Sequence, residues 1–314
     1  MTETRDTEDL TAPSRRNLLK CSAWAGTGIA WAMAGGVPRA FAMDALPTHT
    51  NRFLFVQISD THIGFNKAAN PDPIKTITEA KDKIKAMSVA PSLILHTGDI
   101  THLSKAEEFD TAAQLLGDLP APVRYIPGEH DALDEGAGKL FLDRYGKGTK
   151  GAGWYSYDLG GVHFIGLVNV IGFDNGKEAS LGAEQLAWLK DDLRAVRHST
   201  PIVVYTHIPL WDVYAPWGWG TTDAEVAIRM LRPYGSVTVL NGHIHQIQQK
   251  VEGNITFHTA RSLAYPQPAP GAAPSPGPMT VPADQLRDYL GVTSVNVMRG
   301  THRLALTDTK LSDA

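Results

Sequence analysis

Phe53-Leu54-Phe55-Val56-Gln57-Ile58-Ser59-Asp60-Thr61-His62 is the stretch from which the fold can be read. It opens as a nearly continuous apolar run, the pattern of a strand buried on both faces of a largely parallel sheet. It then stops at an aspartate and a histidine two residues apart. In open α/β sheets, ligands bind beyond the carboxyl ends of the strands, which is where Asp60 and His62 fall. A helix is expected next. Asp72 can cap it, Pro73 suits its first position, and Ile74, Ile77, Ile84 and Met87 share one face.

The same unit recurs on either side. Leu93-Ile94-Leu95-His96-Thr97 reads as a strand ending in Gly98-Asp99, and Ser104 with Glu107 forms a capping box for a helix through Leu116. Val123-Arg124-Tyr125-Ile126 leads into Pro127-Gly128-Glu129-His130-Asp131. Residues 154–159 and 162–168 flank Gly160-Gly161, a two-residue hairpin signal, and a helix is expected over 183–197. Ile202-Val203-Val204-Tyr205 ends in Thr206-His207, and Thr222 with Glu225 caps a helix through Leu231. Val237-Thr238-Val239-Leu240 ends in Asn241-Gly242-His243-Ile244-His245, and Glu252-Gly253-Asn254 turns a further hairpin. Residues 265–282 change to Pro, Gly, Ala and Ser, a composition that covers a core rather than forming one. A short helix at 283–290 and a hairpin around 293–307 close the chain. The reading is one α/β domain over 43–314, without a solenoid repeat.

Composition agrees: 43% hydrophobic and 20% charged residues over 314 positions suit a globular protein with a large core. The formal charge of −4 gives no broad footprint for nucleic acid. Residues 1–42 read as a twin-arginine export signal. Arg15-Arg16 precedes a mildly apolar run from Cys21 to Gly36, and Ala40-Phe41-Ala42 offers a cleavage site before Met43. A basic disordered tail or an uncut weak anchor is the competing reading; the run is too short and too rich in Gly and Ala for a stable membrane span. The expectation is a periplasmic or secreted protein, exported folded, with the twin-arginine machinery as a partner. Loss of five Lys/Arg and four Asp/Glu with the leader moves the charge to −5, and it removes Cys21, the single cysteine. Any metal must then be held by His, Asp, Glu or Asn.

Five pieces stand in order: Asp60-x-His62, Gly98-Asp99, Gly128-Glu129-His130-Asp131, His207 and Gly242-His243-x-His245. Together they resemble the calcineurin-like metallophosphoesterases, and their wording is similar to the bacterial branch of class III cyclic nucleotide phosphodiesterases and glycerophosphodiesterases. The resemblance covers about residues 53–260. It implies a four-layer αββα sandwich with two mixed sheets, and two metal ions held roughly 3.5–4 Å apart. Asp60, His62, Asp99 and His245 would hold one ion; Asp99 would bridge; Glu129, His207 and His243 would complete the other. A metal-bridging hydroxide would attack the phosphorus of a small phosphodiester, with His130 facing the substrate and Asp131 orienting its imidazole. A broad phosphomonoesterase is the alternative, and a non-catalytic scaffold of the same fold the rival from another class.

The departure is Glu129, where the family has Asn. Three readings stand open: Glu129 ligates the second ion, turns away and leaves that site weak, or acts as an outer-sphere base. Direct ligation would add negative charge and favour iron, paired with manganese, zinc or a second iron. The aromatic stretch after His207 offers Trp217 and Trp219 as a lid or stacking wall, or as residues packing onto their own loop. His258 and Arg261 are candidate substrate contacts, and His96 a residue behind the site. His102 lacks a motif and reads as an ordinary histidine. Oligomeric state and natural substrate are not legible.

Overall fold

The computed structural model describes residues 29–34, 37–42, 52–171, 178–298 and 304–313. After β1 (Ile29–Ala34) and β2 (Val37–Ala42), the central strand is β3 (Arg52–Ile58). Parallel to it run β4 (Leu93–His96) and β5 (Val123–Tyr125). The second sheet holds β6 (Tyr155–Leu159), β7 (Val162–Gly166), β8 (Ile202–Tyr205), β9 (Val237–Asn241), β10 (Gln249–Glu252) and β11 (Ile255–Thr259). The last hairpin, β12 (Gly291–Met298) and β13 (Leu304–Lys310), returns to the first sheet antiparallel beside β3. The orders are β2-β1-β13-β12-β3-β4-β5 and β10-β11-β9-β8-β7-β6. Both sheets are mixed; in the second, β7, β8, β9 and β11 run parallel to one another, with β6 and β10 antiparallel at the edges.

Period-two alternation explains the layering. Phe53 and Phe55 point into the space between the sheets, where they meet Phe164, Val203 and Leu240. Val56 and Ile58 point the other way, against helices α1 (Pro73–Lys85), α2 (Ala106–Gly117) and α3 (Lys139–Tyr145) through Ile77, Ile84, Phe109 and Phe141. The outer face of the second sheet is covered by α4 (Ala183–Leu193) and α5 (Ala224–Leu231) through Leu189, Leu193, Ile228 and Leu231. Each such side chain contributes about 1.5–3 kcal/mol of apolar burial. Three apolar layers separate four structural ones, so the αββα sandwich expected from the motifs is the observed fold. One short helix, α6 (Leu286–Tyr289), precedes β12.

Local signals fared unevenly. Asp72 accepts from Lys75 N at 3.1 Å and caps α1. Gly160 and Gly161 have φ of 62° and 82°, as a turn with two left-handed residues requires. The capping box at Ser104 and Glu107 is not what starts α2. Glu108 accepts from Leu103 N at 2.8 Å and Lys105 N at 3.4 Å. Ser104 instead donates to the His130 carbonyl (3.1 Å) and accepts from Leu133 N (3.2 Å), tying two site loops together.

The paired arginines and Cys21 lie outside the described residues. Within the segment expected to lie outside the fold, β1 and β2 pair antiparallel, and Trp31 of β1 pairs with Leu306 on β13. An edge strand leaves N–H and C=O groups open, and an apolar segment can complete them. No helix among the described residues is long and apolar enough to cross a membrane.

Candidate metal centre

The strand ends turn sharply. Of seven non-glycine residues with positive φ among those described, five are Asp60, His62, Asp99, His243 and His245. Holding such residues left-handed costs on the order of 1–3 kcal/mol each, and they persist only where the surroundings over-determine them. Here the turns lock one another: Asp60 N donates to Gly98 O (3.0 Å), His62 N to Asp99 O (2.9 Å) and Gly242 N to His207 O (3.1 Å). The motif glycines permit this approach. A Cβ on Gly128 would collide with the Asp99 carboxylate, and one on Gly242 with Ser59 Oγ.

The result is one continuous cluster of donor atoms. His62 Nε2 and His245 Nε2 lie 3.2 Å apart, and His245 Nε2 is 3.2 Å from Asp60 Oδ1. Glu129 reaches His207 Nε2 through Oε2 and His243 Nδ1 through Oε1, both at 2.8 Å. Asp99 Oδ2 stands between the two groups, 3.4 Å from His62 Nε2 and 3.5 Å from His207 Nε2. Asp60, His62 and His245 form one compact triad of donors, and Glu129, His207 and His243 another. Glu129 therefore turns into the cluster, which removes the reading in which it is too long to participate.

The donor set fits metal ions. His207 Nδ1 donates to Thr97 O (2.7 Å) and His245 Nδ1 to Tyr265 O (2.6 Å), which leaves their Nε2 lone pairs facing carboxylates and other imidazoles. Asp60 Oδ2, Glu129 Oε2 and His207 Nε2 are buried without an aligned hydrogen-bond partner. Lone pairs converging in a buried site call for positive charge between them. In the metal-free chain, imidazoles supply it. Burial would raise the Asp60 and Glu129 carboxyls, but His245 and His207 pull Asp60 down, and His243 and His207 pull Glu129 well below its ordinary range. Burial would lower His207, yet Asp99 and Glu129 drive it well above its ordinary value.

A family model of the calcineurin-like phosphoesterases matches residues 53–247, the part that carries every one of these donors. The chain belongs to that family. Among curated relatives, it is 30% identical over 141 residues to purple acid phosphatase 15 of Arabidopsis thaliana, covering 41% of this chain and 25% of that one. It is 25% identical over 225 residues to a probable cyclic nucleotide phosphodiesterase of Rhodopseudomonas palustris, covering 67% and 78%. Among solved structures, a purple acid phosphatase from yellow lupin superposes with a TM-score of 0.61 at 15% identity, over 88% of this chain and 55% of that one. This last likeness speaks for the fold.

Around the donor set of this phosphoesterase, the structure redistributes several roles. His130 sits at the rim with its ring 4.7 Å from that of His62. Its partner is not Asp131. His130 Nδ1 donates to the His102 carbonyl at 2.6 Å. Asp131 is fully buried and accepts from Gly128 N (3.0 Å), Ile100 N (3.0 Å), Thr101 N (2.8 Å) and Thr101 Oγ1 (2.8 Å). With four donors already on it, the carboxylate ties the Asp99 turn to the Gly128 loop and has no imidazole to orient. Burial and the Asp99 charge push it up to about 6, against those backbone donors. Burial lowers His130, but Asp99, Glu129 and the His102 carbonyl bring it above its ordinary value.

Four expected substrate contacts are engaged by other partners. His258 is fully buried between the sheets, donating through Nε2 to Asp308 (2.9 Å) and accepting from Gln249 (2.9 Å). Arg261 donates to the Asp288 and Tyr289 carbonyls (3.1 and 3.2 Å) at the end of α6. Trp219 is fully buried, and Trp217 packs edge-on against it at 4.9 Å, so this loop folds onto itself. His96 takes the supporting role: Gly98 N donates to its Nδ1 (3.3 Å), and its Nε2 meets Thr61 Oγ1 (3.0 Å).

Two residues that no motif marks also reach the centre. The His102 ring stacks on His130 at 5.0 Å, and its Nδ1 lies 3.4 Å from His62 Nδ1. Burial and His130 lower it to about 4, leaving it a neutral partner. Its place three residues after Asp99 was the available signal. Tyr265, first residue of the Pro-rich segment, lies over His62 and His245. That segment does cover the site: Gln267 donates to the His243 carbonyl at 2.9 Å.

Proposed function

We propose that this phosphoesterase hydrolyses a small phosphodiester with two metal ions, one held by Asp60, His62, Asp99 and His245, the other by Glu129, His207 and His243 with Asp99 shared. The observation that carries the reading is the convergence of three carboxylates and four imidazoles from both sheets on one buried point. When bound, such a pair supplies a water of lowered pKa and positive charge for the phosphoryl oxygens. The chain does the rest. With Nδ1–H held by the His102 carbonyl, His130 can present its other nitrogen to a phosphoryl oxygen or to the departing alkoxide, and a protonated imidazole suits that task. The Glu129 carboxylate adds a negative charge that favours iron with manganese, zinc or a second iron.

A diester is favoured by the match to the R. palustris relative over 78% of that protein's length. The plant purple acid phosphatase gives a second reading, a phosphomonoesterase, on higher identity over a quarter of that protein's length. The test is metal-stripped protein reloaded with manganese or iron and assayed on bis-p-nitrophenyl phosphate and p-nitrophenyl phosphate. We expect kcat/KM to favour the diester by about ten-fold or more, a difference of about 1.4 kcal/mol in transition-state binding. Preference for the monoester would move the assignment to the second reading, and no turnover of either with metals loaded would refute the enzyme. Export to the periplasm or beyond by the twin-arginine route is also proposed, on Arg15-Arg16 and the segment after them. Replacing both arginines with lysine should hold the protein in the cytoplasm.

A further inference from the structure

Tyr265 is 4% exposed, and its ring is clamped between Phe65, at 4.3 Å, and the face of His62, at 4.8 Å and 30°. Its hydroxyl lies 3.2 Å from His62 Nε2. We infer that the Tyr265 phenol oxygen is a further protein ligand at the metal position formed by Asp60, His62, Asp99 and His245. The inference rests on the metal-dependent reading above and adds a residue type that the imidazoles and carboxylates do not include.

Two observations carry it. First, the spacing is that of a donor set. Nitrogen and oxygen ligands about 2.0–2.2 Å from one ion stand about 3.0–3.5 Å from each other. The phenol oxygen is 3.2 Å from His62 Nε2, His245 Nε2 is 3.2 Å from His62 Nε2, and Asp60 Oδ1 is 3.2 Å from His245 Nε2. Second, an ion on His62 takes the lone pair that the hydroxyl now faces, while the Phe65 clamp keeps the ring from swinging out. The hydroxyl then has the ion itself as its neighbour. The Tyr265 carbonyl fixes the His245 tautomer at 2.6 Å, so one residue holds a ligand with its backbone and supplies another with its side chain.

Tyr265→Phe keeps the ring, the stack and the carbonyl while deleting the oxygen. The experiment uses metal-free full-length chain titrated with cobalt(II), read by chelator competition and by the visible d–d spectrum of the bound ion. In the variant, we expect one of two binding events to weaken by about ten-fold or more. The spectrum of that ion should change, while the melting temperature of the metal-free chain stays as in wild type. Unchanged affinity and spectrum would overturn the assignment, as would a fall in affinity with an unchanged spectrum, which makes Tyr265 a positioning residue. A wild-type chain that binds no metal would overturn the metal-dependent reading and this assignment with it.

Discussion

His130 and Asp131 are neighbours in sequence with opposite duties in space. The His130 imidazole is at the rim, held by a carbonyl, whereas the Asp131 carboxylate faces inward onto four donors from two loops. His130→Gln should therefore lower kcat by about 10²–10⁴-fold with the metal content and melting temperature of wild type, as steady-state kinetics and metal analysis would show. Asp131→Asn places an NH₂ against N–H groups and strands buried donors. It should cost about 1–3 kcal/mol of stability in denaturant titration. If Asp131→Asn instead left stability intact and shifted only the pH–rate profile, the orienting role would return. Glu129 is the third neighbour. Its two oxygens each lie 2.8 Å from an imidazole, so Glu129→Asn removes charge from the donor set without emptying it. The expected outcome is tighter inhibition by phosphate and a lower iron share in the purified protein. Identical metal identity and phosphate inhibition in both proteins would count against a ligating carboxylate.

At the scale of elements, what could be read in sequence was what is local. A strand that ends in Asp-x-His or Gly-Asp announces its own turn, so β3, β4, β8 and β9 and the residues at their ends were legible one segment at a time. Asp131, His258 and Tyr265 were not, because their partners lie 30, 50 and 203 residues away and are chosen only when the sheets close. Ser104 misled because its left-handed backbone, φ 54°, commits it to the His130 loop rather than to α2. His163 is a further non-local case, and it carries a prediction. It joins three elements: on β7, it contacts Asp158 of β6 (2.8 Å) and Asp192 of α4 (2.9 Å). Burial lowers its pKa, but hydrogen bonds to Asp192 and Asp158 raise it above the ordinary value. A raised folded pKa gives stability that is fully present below the unfolded value of about 6.5 and is lost as pH climbs through the folded one. His163→Gln should therefore destabilise more near pH ~6 than near pH ~9, measured as the difference in denaturation midpoints. An equal loss at both pH values would mean that the imidazole is held for its shape alone.

For the molecule as a whole, the centre is where the two sheets meet. Asp60, His62, Asp99 and Glu129 come from the first sheet, and His207, His243 and His245 from the second. Ions shared between them would cross-link the two halves of the sandwich, in the same direction as the apolar layer around Phe55 and Phe164, whose rings meet edge-on at 5.3 Å. Metal would bind the folded arrangement and not the unfolded chain, in which the seven donors are scattered over 186 positions. Free metal at about 100 times its dissociation constant adds about 2.7 kcal/mol per site. For a domain of this size, each kcal/mol moves the melting temperature by about 2–4 °C. Chelation of both ions should then lower it by about 10–20 °C, and manganese or zinc should restore it. The dependence must weaken in His207→Ala, which removes a donor from the second sheet, more than in His258→Leu, which removes an inter-sheet contact outside the donor set. Scanning calorimetry with and without chelator on the three proteins decides this. If chelation left the wild-type transition unmoved, the cluster would be holding the sheets together through its own ion pairs, and the metal would have no part in joining them.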